Sequence, residues 1–365
     1  MTSRVDTLVR SHIHKMPPYQ PVLPFEVRSE QLRIPISRII KLDANENPYG
    51  PLPSVKRTLA DLPNIHIYPD PECRQLRNAL ADFHKIPAEN ILAAAGADEL
   101  IDMLIRLLLD PGDILIDCPP TFGMYAFDGN MNAAQVISVP RQKDFSLDPE
   151  TLISTILRLR PKLIFLANPN NPDGSLINPQ VIEKILTLPV IVVLDEAYIE
   201  FSPPGHTLIQ DVPHRENLVV LRTFSKWAGL AGLRVGYGVF PDSLMPHLWK
   251  IKQPYNVSVA AASAALTSLR GADQLRKQGQ NIISERNRLY QALQAIPWLQ
   301  PYPSNGNFIL CRVLDRVASD LQSNLARTGI LVRYFDKPEL RDHIRISVGK
   351  PEQNKSLVDH LTKME

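Results

Sequence analysis

PVIVVLDEAYIEF, residues 189–201, places five apolar residues (190–194) directly ahead of Asp195, with Tyr198 three positions further on. An unbroken apolar run of this length, rather than an alternating one, fits a strand covered on both faces. The same texture recurs on either side, in NILAAAG (90–96), DILIDCP (113–119), AAQVISVP (133–140), PKLIFLANP (161–169), NLVVLRTFS (217–225) and LRVGYGVF (233–240). Between the runs lie stretches with helical periodicity: ECRQLRNALADFHK (72–85), with Leu76, Leu80 and Phe83 on one face, and ADELIDMLIRLLLD (97–110). Strand and helix in alternation predict an α/β fold, a sheet sandwiched between helices. In open sheets of that kind ligands bind at the carboxyl ends of the strands, and that is where the polar motifs of this chain fall.

After about residue 245 the texture changes. A long polar helical stretch at about 258–295 leads into NGNFILCRV (305–313), a helix near 317–328, ILVRYF (330–335) and HIRISVG (343–349), which predicts a smaller α+β domain. Prolines cluster in 16–24, 47–53 and 63–71, where a fixed φ and a missing donor favour extended arm and loops. The expected division is an N-terminal arm over 1–40 belonging to the small domain, a large domain over 41–250 and a small domain over 251–365.

Composition narrows the function classes. A formal charge of +2 with no block of like charge offers no basic stripe for nucleic acid. The most apolar helical stretch is broken by Asp102 and Arg106 and is too short for a bilayer. Cys73, Cys118 and Cys311 form no CxxC pair, which argues for a reducing compartment and against structural zinc. The first 21 residues lack the apolar core of a signal peptide, so a cytoplasmic location is expected. His12 and His14 stand two apart in a polar arm without further ligands in view, and no metal site is expected.

The chemistry concentrates in five segments. TFSKWAGLAGLR (223–234) brings Thr223, Ser225 and Lys226 to a Gly- and Ala-rich turn, with Arg234 eight residues beyond the lysine. Two hydroxyls and a guanidinium can cradle a phosphate around a lysine suited to condense with a carbonyl; a surface lysine after a strand is the plainer alternative. Asp195, ending a buried run, needs a cation or a capping role, and a protonated pyridine nitrogen would be such a cation. A Walker B strand would look similar, but no G-x-x-x-x-G-K-[ST] loop accompanies it. NPNNPDG (168–174) forces a tight loop in which Asn171 could donate to a phenolate or carboxylate, or simply make a turn. In AAAGADEL (93–100) the amides of Gly96, Ala97 and Asp98 could face an anion at a helix start, and Asp98 could equally cap that helix. Arg333 and Arg345 could grip an acidic substrate group by paired hydrogen bonds, or form structural ion pairs.

The order and spacing of these segments resemble the fold type I pyridoxal phosphate (PLP) aminotransferases of the class II subfamily, from about residue 17 to 350. LDANENPYGP (42–51), YPDPECRQLRNALADFH (68–84), PTFGMY (120–125), NPNNPDG and HIRISVG are most similar to the histidinol-phosphate aminotransferase family, and PPYQP (17–21) to its substrate-covering arm. The resemblance implies a Schiff-base lysine at Lys226, Asp195 against the pyridinium nitrogen, and Tyr198 with Asn171 on the phenolic oxygen. It implies Gly96, Ala97, Asp98, Thr223, Ser225 and Arg234 around the phosphate, joined by Tyr68 from a second subunit of a homodimer. Phe122 would stack on the cofactor where the family often has Tyr. Tyr19, Asn171, Arg333 and Arg345 would receive the substrate. Asp173 departs from the family's usual Thr and is expected to bring a negative charge near the substrate. The implied reaction is transamination between L-histidinol phosphate and 2-oxoglutarate. An aromatic amino-acid aminotransferase or a threonine-phosphate decarboxylase would share the motifs. A PLP-domain transcription regulator would need a helix-turn-helix module for which the roughly 40 residues before the first motif leave too little room.

Overall fold

The computed structural model describes residues 5–19 and 21–364. Twelve strands are described: β1 (Ile40–Leu42), β2 (Ile91–Ala94), β3 (Ile114–Asp117), β4 (Gln135–Ser138), β5 (Leu163–Ala167), β6 (Ile191–Asp195), β7 (Leu218–Thr223), β8 (Gly236–Val239), β9 (Leu299–Pro301), β10 (Phe308–Val313), β11 (Ile330–Tyr334) and β12 (His343–Ser347).

Seven of them form one sheet in the order β2-β8-β7-β6-β5-β3-β4. All its pairs are parallel except the two made by β8. The mostly parallel mixed sheet between helices is thus present as expected. Its apolar runs are continuous because successive side chains enter two different cores. Ile164, Leu166, Val192, Leu194 and Val220 face one, closed by helices Arg74–His84, Pro149–Leu159, Pro179–Leu186 and Val259–Arg270. Leu163, Phe165, Val193, Val219 and Leu221 face the other, closed by helices Ala97–Leu108, Met124–Met131 and Met245–Ile251.

The remaining five strands form a second sheet, β1-β11-β12-β10-β9, antiparallel apart from the β1–β11 pair. Two structural features cross the expected limits. β1 pairs with β11, so residues 41 and 42 belong with the small sheet. Beyond 250, Ala261, Ala264, Leu275 and Ile282 pack in the large core, while Leu289 and Leu293 pack in the small one. The polar stretch at 258–295 is therefore two helices, parted at Gly271, of which the second runs through both cores. The N-terminal arm touches both parts: Phe25, Leu32 and Ile34 pack beside Leu331 of the small sheet, whereas the His12 ring bonds the Met131 carbonyl at 3.0 Å.

Candidate active site

Four chain segments converge at the carboxyl edge of the seven-stranded sheet, around a cavity of about 140 Å³. β6 delivers Asp195 and Tyr198, and β7 delivers Thr223, Ser225 and Lys226. The turn after β2 brings Ala97 and Asp98, and the loop after β5 brings Asn171. Phe122 and Arg234 join them, so ten of the residues singled out from the sequence line one space.

The lining holds two chemically distinct groups. In the first, the helix Ala97–Leu108 begins, and first-turn amides have no acceptor within their own helix. Gly96 precedes that helix at φ +91°, and a Cβ there would lie 2.7 Å from the Arg234 guanidinium. Arg234 donates to Asp98 at 2.8 Å, and the Thr223 hydroxyl donates to Ser225 Oγ at 2.9 Å. Amides, hydroxyls and a guanidinium together make an anion-binding group.

The second is Asp195, buried at the end of β6. Its Oδ1 accepts the Ala197 amide at 3.0 Å and its Oδ2 accepts the Tyr125 hydroxyl at 2.7 Å. Burial pushes its carboxyl up to about 6, against the pull of those two donors. Both donors are neutral, so this buried carboxylate has no cationic partner among the described residues. On the same lining, Lys226 Nζ lies 3.3 Å from the Ala44 carbonyl and 5.7 Å from the centre of the Tyr198 ring.

Beyond the cavity the small sheet contributes a pair of arginines. Arg333 and Arg345 face each other in the β11–β12 register, and each guanidinium lies 5.4 Å from the Phe335 ring. Arg345 is buried, donates to Asn171 Oδ1 at 2.5 Å and to the Asp43 carbonyl at 2.8 Å, and leaves its Nε without an acceptor. Burial lowers it to about 10, so it stays a cation at neutral pH. Tyr19, edge-on to Phe127 at 5.6 Å, feels both arginines, although burial is the stronger influence and raises its hydroxyl.

One expectation turns out differently within this chain. Asp173 does not present its charge to the cavity: it is buried in its own loop, accepting from Asn170 and from the Ser175 amide at 2.8 Å. The loop's polar groups need an internal acceptor, and Asp173 supplies it. Tyr68 is exposed and stacks on Tyr255 at 4.6 Å, outside the cavity of its own chain. Sequence reading also missed Tyr125, within the quoted PTFGMY, and Asn45, within LDANENPYGP. Asn45 Nδ2 donates to the Tyr198 hydroxyl at 3.1 Å.

A model of the family described as aminotransferase class I and II matches residues 37–361, which fixes the class of protein to which this fold and cavity belong. The chain is 51% identical to the chloroplastic histidinol-phosphate aminotransferase of Nicotiana tabacum over 97% of its own length and 86% of that protein's. It is 48% identical to histidinol-phosphate aminotransferase of Roseiflexus castenholzii over the whole of both chains. The crystal structure of histidinol-phosphate aminotransferase from Sinorhizobium meliloti in complex with pyridoxal-5'-phosphate superposes with a TM-score of 0.90 at 27% identity, covering 100% of this chain and 98% of that one. This chain belongs to the histidinol-phosphate aminotransferase family.

Proposed function

We propose that the protein transfers the amino group of L-histidinol phosphate to 2-oxoglutarate, giving imidazole acetol phosphate and L-glutamate in histidine biosynthesis, with PLP held on Lys226. The observation that carries this reading is that one small cavity is lined by a buried carboxylate lacking a cation, by an anion-binding helix start and by Lys226. A protonated ring nitrogen supplies the missing cation and a phosphate suits the helix start, so the residues present fit the cofactor.

When bound, PLP supplies an electron sink for the electron pair left as a substrate Cα–H bond breaks. The residues of this chain do the rest. Asp195 holds the ring nitrogen in its protonated form, while Tyr198 and Asn171 direct polar groups at the phenolic oxygen. Ala97, Asp98, Thr223, Ser225 and Arg234 hold the phosphate, Gly96 leaves the arginine room, and Phe122 covers the ring. Lys226 Nζ would take up the proton lost from the substrate Cα and give it back at the cofactor's C4′ carbon, acting as base and then as acid. Arg333 and Arg345, with Tyr19, receive either the phosphate of one substrate or a carboxylate of the other, because both groups match the guanidinium fork. Arg345 is suited to this: its hydrogen bonds go to neutral oxygens, and an anion would complete its partners.

We also place the protein in the cytoplasm, supported by three well-separated buried thiols. No described helix is long and apolar enough to cross a membrane. We further read it as a homodimer of two-domain subunits, in which the exposed Tyr68 serves the neighbouring subunit's phosphate.

A substrate panel tests the reaction. Histidinol phosphate should be the preferred amino donor, with phenylalanine poor and no CO2 released from threonine phosphate. Equal rates with phenylalanine would move the assignment to an aromatic aminotransferase, and CO2 release to a decarboxylase. Lys226→Ala should lose both turnover and the borohydride-reducible absorbance.

A further inference from the structure

Asp195 reaches the cavity with one hydrogen bond already on each oxygen, and the second of these comes from a residue outside the expected set. Tyr125 is fully buried. Its ring stacks on Phe165 at 4.8 Å and 4°, and meets Phe122 edge-to-face at 5.6 Å and 83°. Clamped on two sides, the phenol has one direction in which to place its hydroxyl, and Asp195 Oδ2 lies 2.7 Å away along it.

A hydrogen bond donated to a carboxylate favours the ionised form, whereas burial in an apolar setting favours the neutral one. Both forces act on Asp195, with burial the larger and Tyr125 the first of those opposing it. We propose that Tyr125 is a positioning residue that works through Asp195: its hydroxyl keeps the carboxylate anionic and fixes its orientation, so that the remaining lone pairs meet the ring nitrogen of bound PLP. The proposal rests on the assignment of Asp195 given above. Phe122, packed edge-to-face with the Tyr125 ring, then serves the same carboxylate indirectly while also lining the cavity.

Without the phenol, Asp195 takes up a proton more readily. The proton then resides on the carboxylate rather than on the ring nitrogen, and a neutral acid is a weaker partner for the cofactor. A tyrosine that only filled space would leave cofactor affinity and its pH dependence unchanged when its oxygen was removed.

The test compares full-length wild type, Tyr125→Phe, Asp195→Asn and the double variant. Two quantities are read: the PLP dissociation constant by equilibrium dialysis, and the pH midpoint of the visible absorbance of the bound cofactor. Loss of a hydrogen bond to a charged group should raise the Tyr125→Phe dissociation constant by about tenfold or more and displace the absorbance midpoint. Because the tyrosine acts through the aspartate, the double variant should match Asp195→Asn alone. The proposal is overturned if Tyr125→Phe stays within about twofold of wild type on both readouts, or if its effect multiplies with that of Asp195→Asn. If Asp195→Asn itself behaves as wild type, the assignment of Asp195 fails, and the proposal fails with it.

Discussion

Arg345 shows how much chemistry one side chain can carry. It is buried, fixed by Asn171 and the Asp43 carbonyl, and has an Nε still without an acceptor. A lysine at this position keeps the charge but loses the fork that matches a carboxylate or phosphate. Arg345→Lys should therefore raise KM for both substrates by about tenfold with a smaller change in kcat; steady-state kinetics on each substrate checks this. His84 makes a different prediction. Burial, with Arg222 nearby, pushes its imidazole down to about 3, and its Nε2 lies 2.7 Å from the Tyr237 hydroxyl. Between the ordinary histidine value of about 6.5 and this one, the unfolded chain binds a proton that the folded chain refuses, so stability falls as pH drops through that window. His84→Gln does not titrate. Its deficit in Tm relative to wild type should shrink between pH 7 and pH 4, as thermal melts would show. At this scale the sequence pointed to polar residues at the end of an apolar run or a few positions beyond it, as with Asp195 and Lys226. It was silent on Tyr125 and Asn45, whose partners lie 70 and 153 residues away, because side-chain pairing across the fold leaves no local signature.

Elements were legible in proportion to their length and periodicity. The runs that became β5, β6 and β7 are continuous and apolar because each strand is buried on both faces. β1 and β9 were not anticipated: three residues each are too few for a pattern to emerge. The helical stretch at 258–295 read as one element because glycine is a weak stop signal: of its two glycines, Gly271 ends a helix and Gly279 lies within the next. The turn from β2 into the helix Ala97–Leu108 carries the prediction proper to this scale. Gly96 lies at φ +91° with Arg234 2.7 Å from where a Cβ would be. Gly96→Ala strains the backbone and displaces the guanidinium together. PLP affinity should fall by about tenfold or more in dialysis, with the seven-stranded sheet intact by circular dichroism.

For the whole molecule, the seven-stranded sheet fixes one half of the site and the five-stranded sheet supplies its arginines. If Tyr68 serves the neighbouring subunit, two inactive variants should complement one another. A heterodimer of Lys226→Ala with Tyr68→Ala contains one site with both residues native. Mixing under subunit exchange should restore activity that neither variant shows alone, and a mixture that stays inactive would confine Tyr68 to its own chain. The helix Ala272–Gln294 has a consequence of another kind. Its 23 residues span about 35 Å, with Leu275 and Ile282 in one core and Leu289 and Leu293 in the other. Melting either half strips buried contacts from a rod that the other half also needs. The two lobes are therefore thermodynamically bound to a common fate, and calorimetry of the apoprotein should record one heat-absorption peak, not two.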